Sequence, residues 1–168
     1  MSSSSDTQAR PGADGHAVHP TEPSDYGALN LTYLALFAAV VATARRRRDE
    51  ASAIRGRDLP PLGLATFALA KTVAREKIGT WVRDPFVEET SEHRPGAPRG
   101  QGLRHAVGEL LTCTRCVGAW AALGVVGLRA TSPRAGRLAT AVLATAGIND
   151  FLQAGFRYAT ERADAAGG

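Results

Sequence analysis

The feature that most constrains this chain is an uncharged run of 17 residues, Ala28 to Ala44, that stops at four consecutive arginines, Arg45–Arg48. As an α-helix the run reaches about 25 Å at ~1.5 Å per residue, at the short end of what crosses a ~30 Å hydrocarbon core. Four guanidiniums are costly to carry across a bilayer, so they act as a stop and favour the cytoplasmic side. The soluble alternative is a buried helix followed by a basic nucleic-acid patch. That patch lacks interleaved aromatics and is followed at once by Asp49 and Glu50, so no nucleic acid is expected as a partner.

Average composition argues less clearly. The 168 residues are 44% apolar and 21% charged, with a mean hydropathy of −0.13, which as an average describes an ordinary soluble domain. The average conceals segregation. Residues 1–25 hold one basic residue, Arg10, against Asp6, Asp14, Glu22 and Asp25, so the remainder carries 19 basic and 12 acidic residues, or +7. The first 25 residues are Ser-, Gly-, Pro- and acid-rich without apolar periodicity and read as a disordered tail, in which His16 and His19 read as solvated. No secretory signal is evident, because no basic region followed at once by an apolar stretch opens the chain.

Beyond the arginines, residues 49–59 form a charged linker, and Pro60-Pro61 opens a second apolar stretch from Leu62 to Ala70. It continues helically to Val82 with Lys71 and Arg75 on one face, so this helix either spans with those side chains snorkelling or lies in the interface, with Trp81 at headgroup level. Arg83 to Arg104 reads as an exposed loop. Helical spacing returns at Leu103, Val107, Leu110 and Leu111. Val117 to Leu128 is uncharged, Pro133 breaks the chain, and Leu138 to Phe156 carries a single charge, Asp150. Small residues recur in both late segments, among them Gly118, Gly124, Ala141 and Gly147, and in lipid such residues let helix backbones approach closely.

The expected fold is therefore all-α: a small multi-pass transmembrane bundle behind a disordered N-terminal tail. Its parts are a tail (1–25), a first span with its arginine stop (26–48), a linker (49–59), a helical membrane core (60–157) and a C-terminal tail (158–168). Spans near 28–44, 60–78, 113–129 and 138–156, with the N-terminus outside, place Arg45–Arg48 and the loop of Arg129, Arg134 and Arg137 inside and the 83–104 loop outside. A three-span version, with 62–82 at the interface, sends the Arg129–Arg137 loop outside.

The sharpest chemical feature is Cys113-Thr114-Arg115-Cys116. If a helix begins there, its free N–H groups and Arg115 favour a Cys113 thiolate, as at a thiol–disulfide site. The same spacing suits metal, but tetrahedral zinc takes four ligands and the chain has two cysteines. His93, His105 or a second chain's thiolates would have to complete the set, so no cofactor is predicted and zinc stays a minor alternative. Two packed, inert thiols are the third reading. Glu109 is expected in the first turn of a helix, where its charge suits the positive end. Asp150 inside an apolar segment calls for a partner, with Lys71 or Arg75 the expected ion pair; the plain alternative is that it marks the water boundary. No Gly-rich phosphate loop, Ser/His/Asp set or HExxH motif is present.

From about residue 60 to 157 the order of these pieces resembles a small bacterial membrane-protein family, the domain of unknown function 1360. The pieces are the apolar helix ending in Lys71, Arg75 and Lys77, then Arg83-Asp84-Pro85-Phe86, a Gly-rich loop, Gly102-Leu103-Arg104, and Gly108-Glu109-Leu110-Leu111 leading into Cys113-x-x-Cys116-x-Gly118-x-Trp120. The family pattern often carries Cys-Pro-x-Cys, where Thr114 stands here. The resemblance implies an integral protein of the bacterial cytoplasmic membrane and brings no activity, cofactor or catalytic residue. Together with the residues it implies a non-enzymatic structural or assembly component of the envelope, partnered by lipid and by other envelope proteins or copies of itself. The alternative is a thiol–disulfide or metal-binding membrane protein using Cys113 and Cys116.

Overall fold

A computed structural model describes residues 21–46, 53–90 and 95–167. The tail at 1–20 with His16 and His19, the last two arginines of the stop, and His93 lie outside the described residues.

Helix formation follows local signals. Helix α1 (Pro23–Arg46) opens on a proline, and the Asp25 carboxylate accepts the Glu22 backbone N–H at 2.9 Å. Within α1 the hydroxyls of Thr32 and Thr43 donate to carbonyls one turn back, those of Ala28 and Ala39, so the helix shows few unsatisfied polar groups along its length. Helix α2 (Leu59–Arg75) has Pro60 and Pro61 in its first turn, where their missing N–H groups cost nothing. It does not run on to Val82: Glu76 is extended, and a separate short helix, α3 (Thr80–Arg83), follows.

The stretch expected to be an exposed loop is folded. Strands β1 (Val87–Glu89) and β2 (Pro95–Pro98) form an antiparallel hairpin with Val87 opposite Pro98. Val87 is fully buried, and the hairpin sits flush on helix α4 (Leu103–Thr112), where a Cβ on Gly108 would lie 2.6 Å from the Phe86 carbonyl. Arg83 is fully buried as well. Its Nη1 donates to the carbonyls of Val73 (2.6 Å) and Glu76 (3.1 Å) at the end of α2, and its Nε to Glu89 (2.9 Å). Orphan carbonyls at a helix C-terminus attract a cation, and here one side chain caps the helix and ties it to the hairpin.

Helices α4 and α5 (Thr114–Thr131) meet at 90° with Cys113 at the corner. Helix α6 (Pro133–Gly167) is separated from α5 by Ser132 alone, and Gly136 makes the tight reversal: its Cβ would lie 2.4 Å from the Arg129 Cα. α6 continues through the segment read as a tail.

Four long helices alternate in direction. Tyr33 of α1 meets Trp120 of α5 edge-to-face (5.4 Å between centroids), and Val40 meets Gly127, so α1 and α5 run parallel. Leu62 and Ala65 pack with Val125, and Ala70 and Ala74 with Val117 and Ala121, so α2 opposes α5. Gly147 sits against Leu64, and Phe151 stacks on Phe67, so α6 runs with α2. Arg45, Arg46, Arg134 and Arg137 therefore share one end of the bundle. The Cys pair, Glu109, Lys71, Asp150 and the hairpin lie at the other.

Small residues are frequent inside and large apolar ones are frequent outside. Ala65, Ala68, Ala70, Ala74, Ala121 and Ala144 line the interior together with Leu62, Leu111, Val117, Leu123 and Val125, while Leu31, Leu34, Phe37, Leu138, Val142, Leu152 and Phe156 are exposed. Among the described residues, α1 alone is by itself long and apolar enough to cross a membrane, and α4 with α5 meets the same measure as one bent pair.

Candidate functional site

The corner between α4 and α5 builds the site. Cys113 is extended (φ −97°, ψ 106°), which turns the chain and puts its side chain at the N-cap of α5. There its sulfur accepts the Cys116 backbone N–H at 3.3 Å, the role an oxygen usually plays at this position. One turn along, the Cys116 thiol donates to the same sulfur at 2.7 Å. Both cysteines are free, Cys113 half-buried and Cys116 exposed. The aligned N–H groups of α5 and the adjacent Arg115 favour negative charge on Cys113, the arrangement of an attacking thiolate.

Glu109 is not in a first helical turn. It occupies the second half of α4, because the corner at Cys113 ends that helix before α5 starts. Its carboxylate instead accepts a hydrogen bond from the Tyr26 hydroxyl of α1 and lies 3.8 Å from His105 Nε2.

These groups line one cavity of about 620 Å³ between α1, α4 and α5. Tyr26, Leu29, Asn30 and Tyr33 form the α1 wall; Glu109, the two cysteines and Trp120 face them. The wall from α1 was not foreseeable, since nothing in sequence spacing links residue 26 to residue 109. Lys71 and Asp150 do come together, at 3.0 Å, outside this cavity, and Lys71 also pairs with Glu76 at 3.0 Å; Arg75 is exposed. Among the described residues no group of three or more His, Cys, Asp or Glu side chains is placed to hold a metal ion. His105 is turned toward the Gly100 carbonyl (Nδ1 at 3.2 Å) rather than the thiols.

A mostly helical chain with a dithiol at a helix corner defines a class rather than an activity. Residues 61–156 match the family described as a protein of unknown function, DUF1360, and the chain belongs to that family. It is 31% identical over 107 residues to the sporulation protein YjcA of Bacillus subtilis (strain 168), a match covering 60% of this chain and 91% of that protein. No solved structure matches. The matched region begins after α1, so the α1 wall of the cavity lies outside it.

Proposed function

We propose that this is a multi-pass protein of the bacterial cytoplasmic membrane, a non-enzymatic component of envelope assembly. The observation that carries the reading is the apolar exterior: Leu31, Leu34, Phe37, Leu138, Leu152 and Phe156 are exposed on helices whose mutual contacts combine alanine and glycine with Leu62, Val117, Leu123 and Val125. In water that arrangement leaves large apolar side chains exposed without gain; in lipid, small residues at the interface allow the close backbone packing that drives association. The alternating helix directions support four crossings. They bring Arg45 and Arg46 to the same end as Arg134 and Arg137, which suits a cytoplasmic location for that end. The two shorter helices fit because α2 begins at its prolines and α5 at its cysteines, each close to a bundle end. The similarity to a sporulation protein supports a developmental role, while the envelope location rests on the bundle.

Single cysteines at Arg57 and Glu88, introduced into a Cys113→Ser, Cys116→Ser background, test the topology. An impermeant maleimide applied to intact cells should label the Glu88 position and spare the Arg57 position. Equal labelling of both sinks the four-crossing arrangement, and recovery of the protein without detergent sinks the membrane reading.

A second reading has its own support: thiol–disulfide exchange at Cys113 and Cys116. The 2.7 Å between the sulfurs and the N-cap position of Cys113 are the geometry such a pair needs. In the four-crossing arrangement the pair lies at the extracytoplasmic end, where disulfides persist. Trapping free thiols in native membranes with and without reductant tests it, the supporting result being a reductant-dependent mass shift of two alkyl groups on one chain.

A further inference from the structure

The cavity beside the dithiol is larger and more apolar than exchange between two cysteines requires. Its α1 wall and the Tyr33–Trp120 pair give it flat aromatic surfaces, while Asn30, Tyr26 and Glu109 supply a few polar groups at its margin. That is the make-up of a small-molecule pocket, and about 620 Å³ falls within the usual ~300–1,000 Å³ for such sites. Just beyond it along α1, Leu34 and Phe37 are exposed, so the cavity adjoins an apolar surface.

From the dithiol, the aromatic walls and this apolar surface we infer that the cavity binds a lipid-soluble quinone, which oxidises Cys113 and Cys116 to a disulfide. The inference rests on the thiol–disulfide reading above. Chemistry narrows the occupant. Closing the disulfide breaks two S–H bonds, forms one S–S bond and releases two electrons and two protons. An acceptor that takes all four together, is planar, and arrives through an apolar surface is a quinone, whose two carbonyl oxygens become the hydroxyls of a hydroquinone. Asn30 can donate to a quinone oxygen, and the Tyr33 and Trp120 rings offer a face and an edge for its ring. Glu109, the cavity's carboxylate, disfavours an anionic soluble disulfide at the same place.

The test uses the full-length protein in lipid nanodiscs, reduced, freed of reductant and given decylubiquinone, whose fully substituted ring has no open carbon for a thiol to add to. The expected result is hydroquinone formation that saturates with quinone, with one hydroquinone per pair of thiols lost and none in Cys113→Ser or Cys116→Ser. Filling the cavity by Ala119→Phe should slow the reaction about tenfold. Binding has its own readout. In a Trp81→Phe, Cys113→Ser, Cys116→Ser protein, the quinone should quench Trp120 fluorescence saturably. Oxidation that rises linearly with quinone and ignores Ala119→Phe, or a Trp120 that is not quenched, overturns the inference. If glutathione disulfide oxidises the pair and quinone does not, the quinone inference falls while the thiol–disulfide reading stands. If no oxidant closes the pair, both fall.

Discussion

The Lys71 ammonium of α2 lies 3.0 Å from the Asp150 carboxylate of α6, and 3.0 Å from Glu76 on its other side. One cation thus serves two carboxylates, and the two helices meet at a fixed level near one end of the bundle. Both charges are about one-third exposed, so the pair is worth far less than a buried one.

The sharing makes the two obvious variants unequal. Asp150→Asn leaves Lys71 paired with Glu76 and should cost about 0.5–1 kcal/mol, the usual range for polar contacts between membrane helices. Lys71→Met leaves both carboxylates without their cation and should cost more. In the double variant the Asp150 change should cost less than it does alone. Thermal unfolding in detergent micelles measures the cycle; strict additivity would remove the ion pair from the account of helix register.

Arg83 offers the largest single effect. It is fully buried with donors to Val73, Glu76 and Glu89 and a further contact from Nη2 to the Thr80 hydroxyl at 3.3 Å. Arg83→Met strands the Glu89 carboxylate and two helix-end carbonyls, and should destabilise by about 3–5 kcal/mol. Arg83→Lys should recover only part of that, because an ammonium lacks the fork that reaches acceptors in several directions. The double variant Arg83→Met, Glu89→Leu removes both charges and should be more stable than Arg83→Met alone, by the same unfolding measurement.

Tyr26 joins α1 to α4 through a proton. Its hydroxyl donates to Glu109 and ties the start of α1 to the second half of α4. Tyr26→Phe removes that bond and should modestly lower the thermal unfolding midpoint in micelles. An unchanged unfolding midpoint would remove the bond from the account of how α1 docks on α4.

What the sequence discloses depends on the range of the interaction. The approximate places of the helices, the break at Pro133 and the cysteine turn are local, and spacing finds them, although α2 stops at Arg75 and α6 runs on to Gly167. An aspartate in an apolar run calls for a cation, and few cations lie in the neighbouring apolar segments, which is why Lys71 could be named at a distance of 79 residues. The hairpin escaped because its strands have three and four residues and one of them is half proline, too short for alternation to register. Arg83 escaped for a different reason: an arginine in a polar stretch looks solvated unless the helix end that it caps is known. The α1 wall of the cavity depends on a contact between Tyr26 and Glu109 that no local pattern encodes.

Two glycines on the same helix separate close packing from intrinsic preference. A Cβ on Gly147 would stand 2.9 Å from the Leu64 carbonyl of α2, backbone that has no freedom to give way, whereas one on Gly155 meets nothing within 4 Å. Gly155→Ala should therefore gain about 0.5–1 kcal/mol from helix propensity. Gly147→Ala forfeits that gain by forcing α2 and α6 apart, and Gly147→Val should cost about 1–3 kcal/mol as the overpacked contact spreads to Ala68 and the Lys71–Asp150 pair one turn on. Thermal unfolding of the three variants in one micelle system ranks them. If Gly147→Val matched the parent, α2 and α6 would not meet at Gly147, and the close backbone contact that supports the membrane reading would lose its clearest instance.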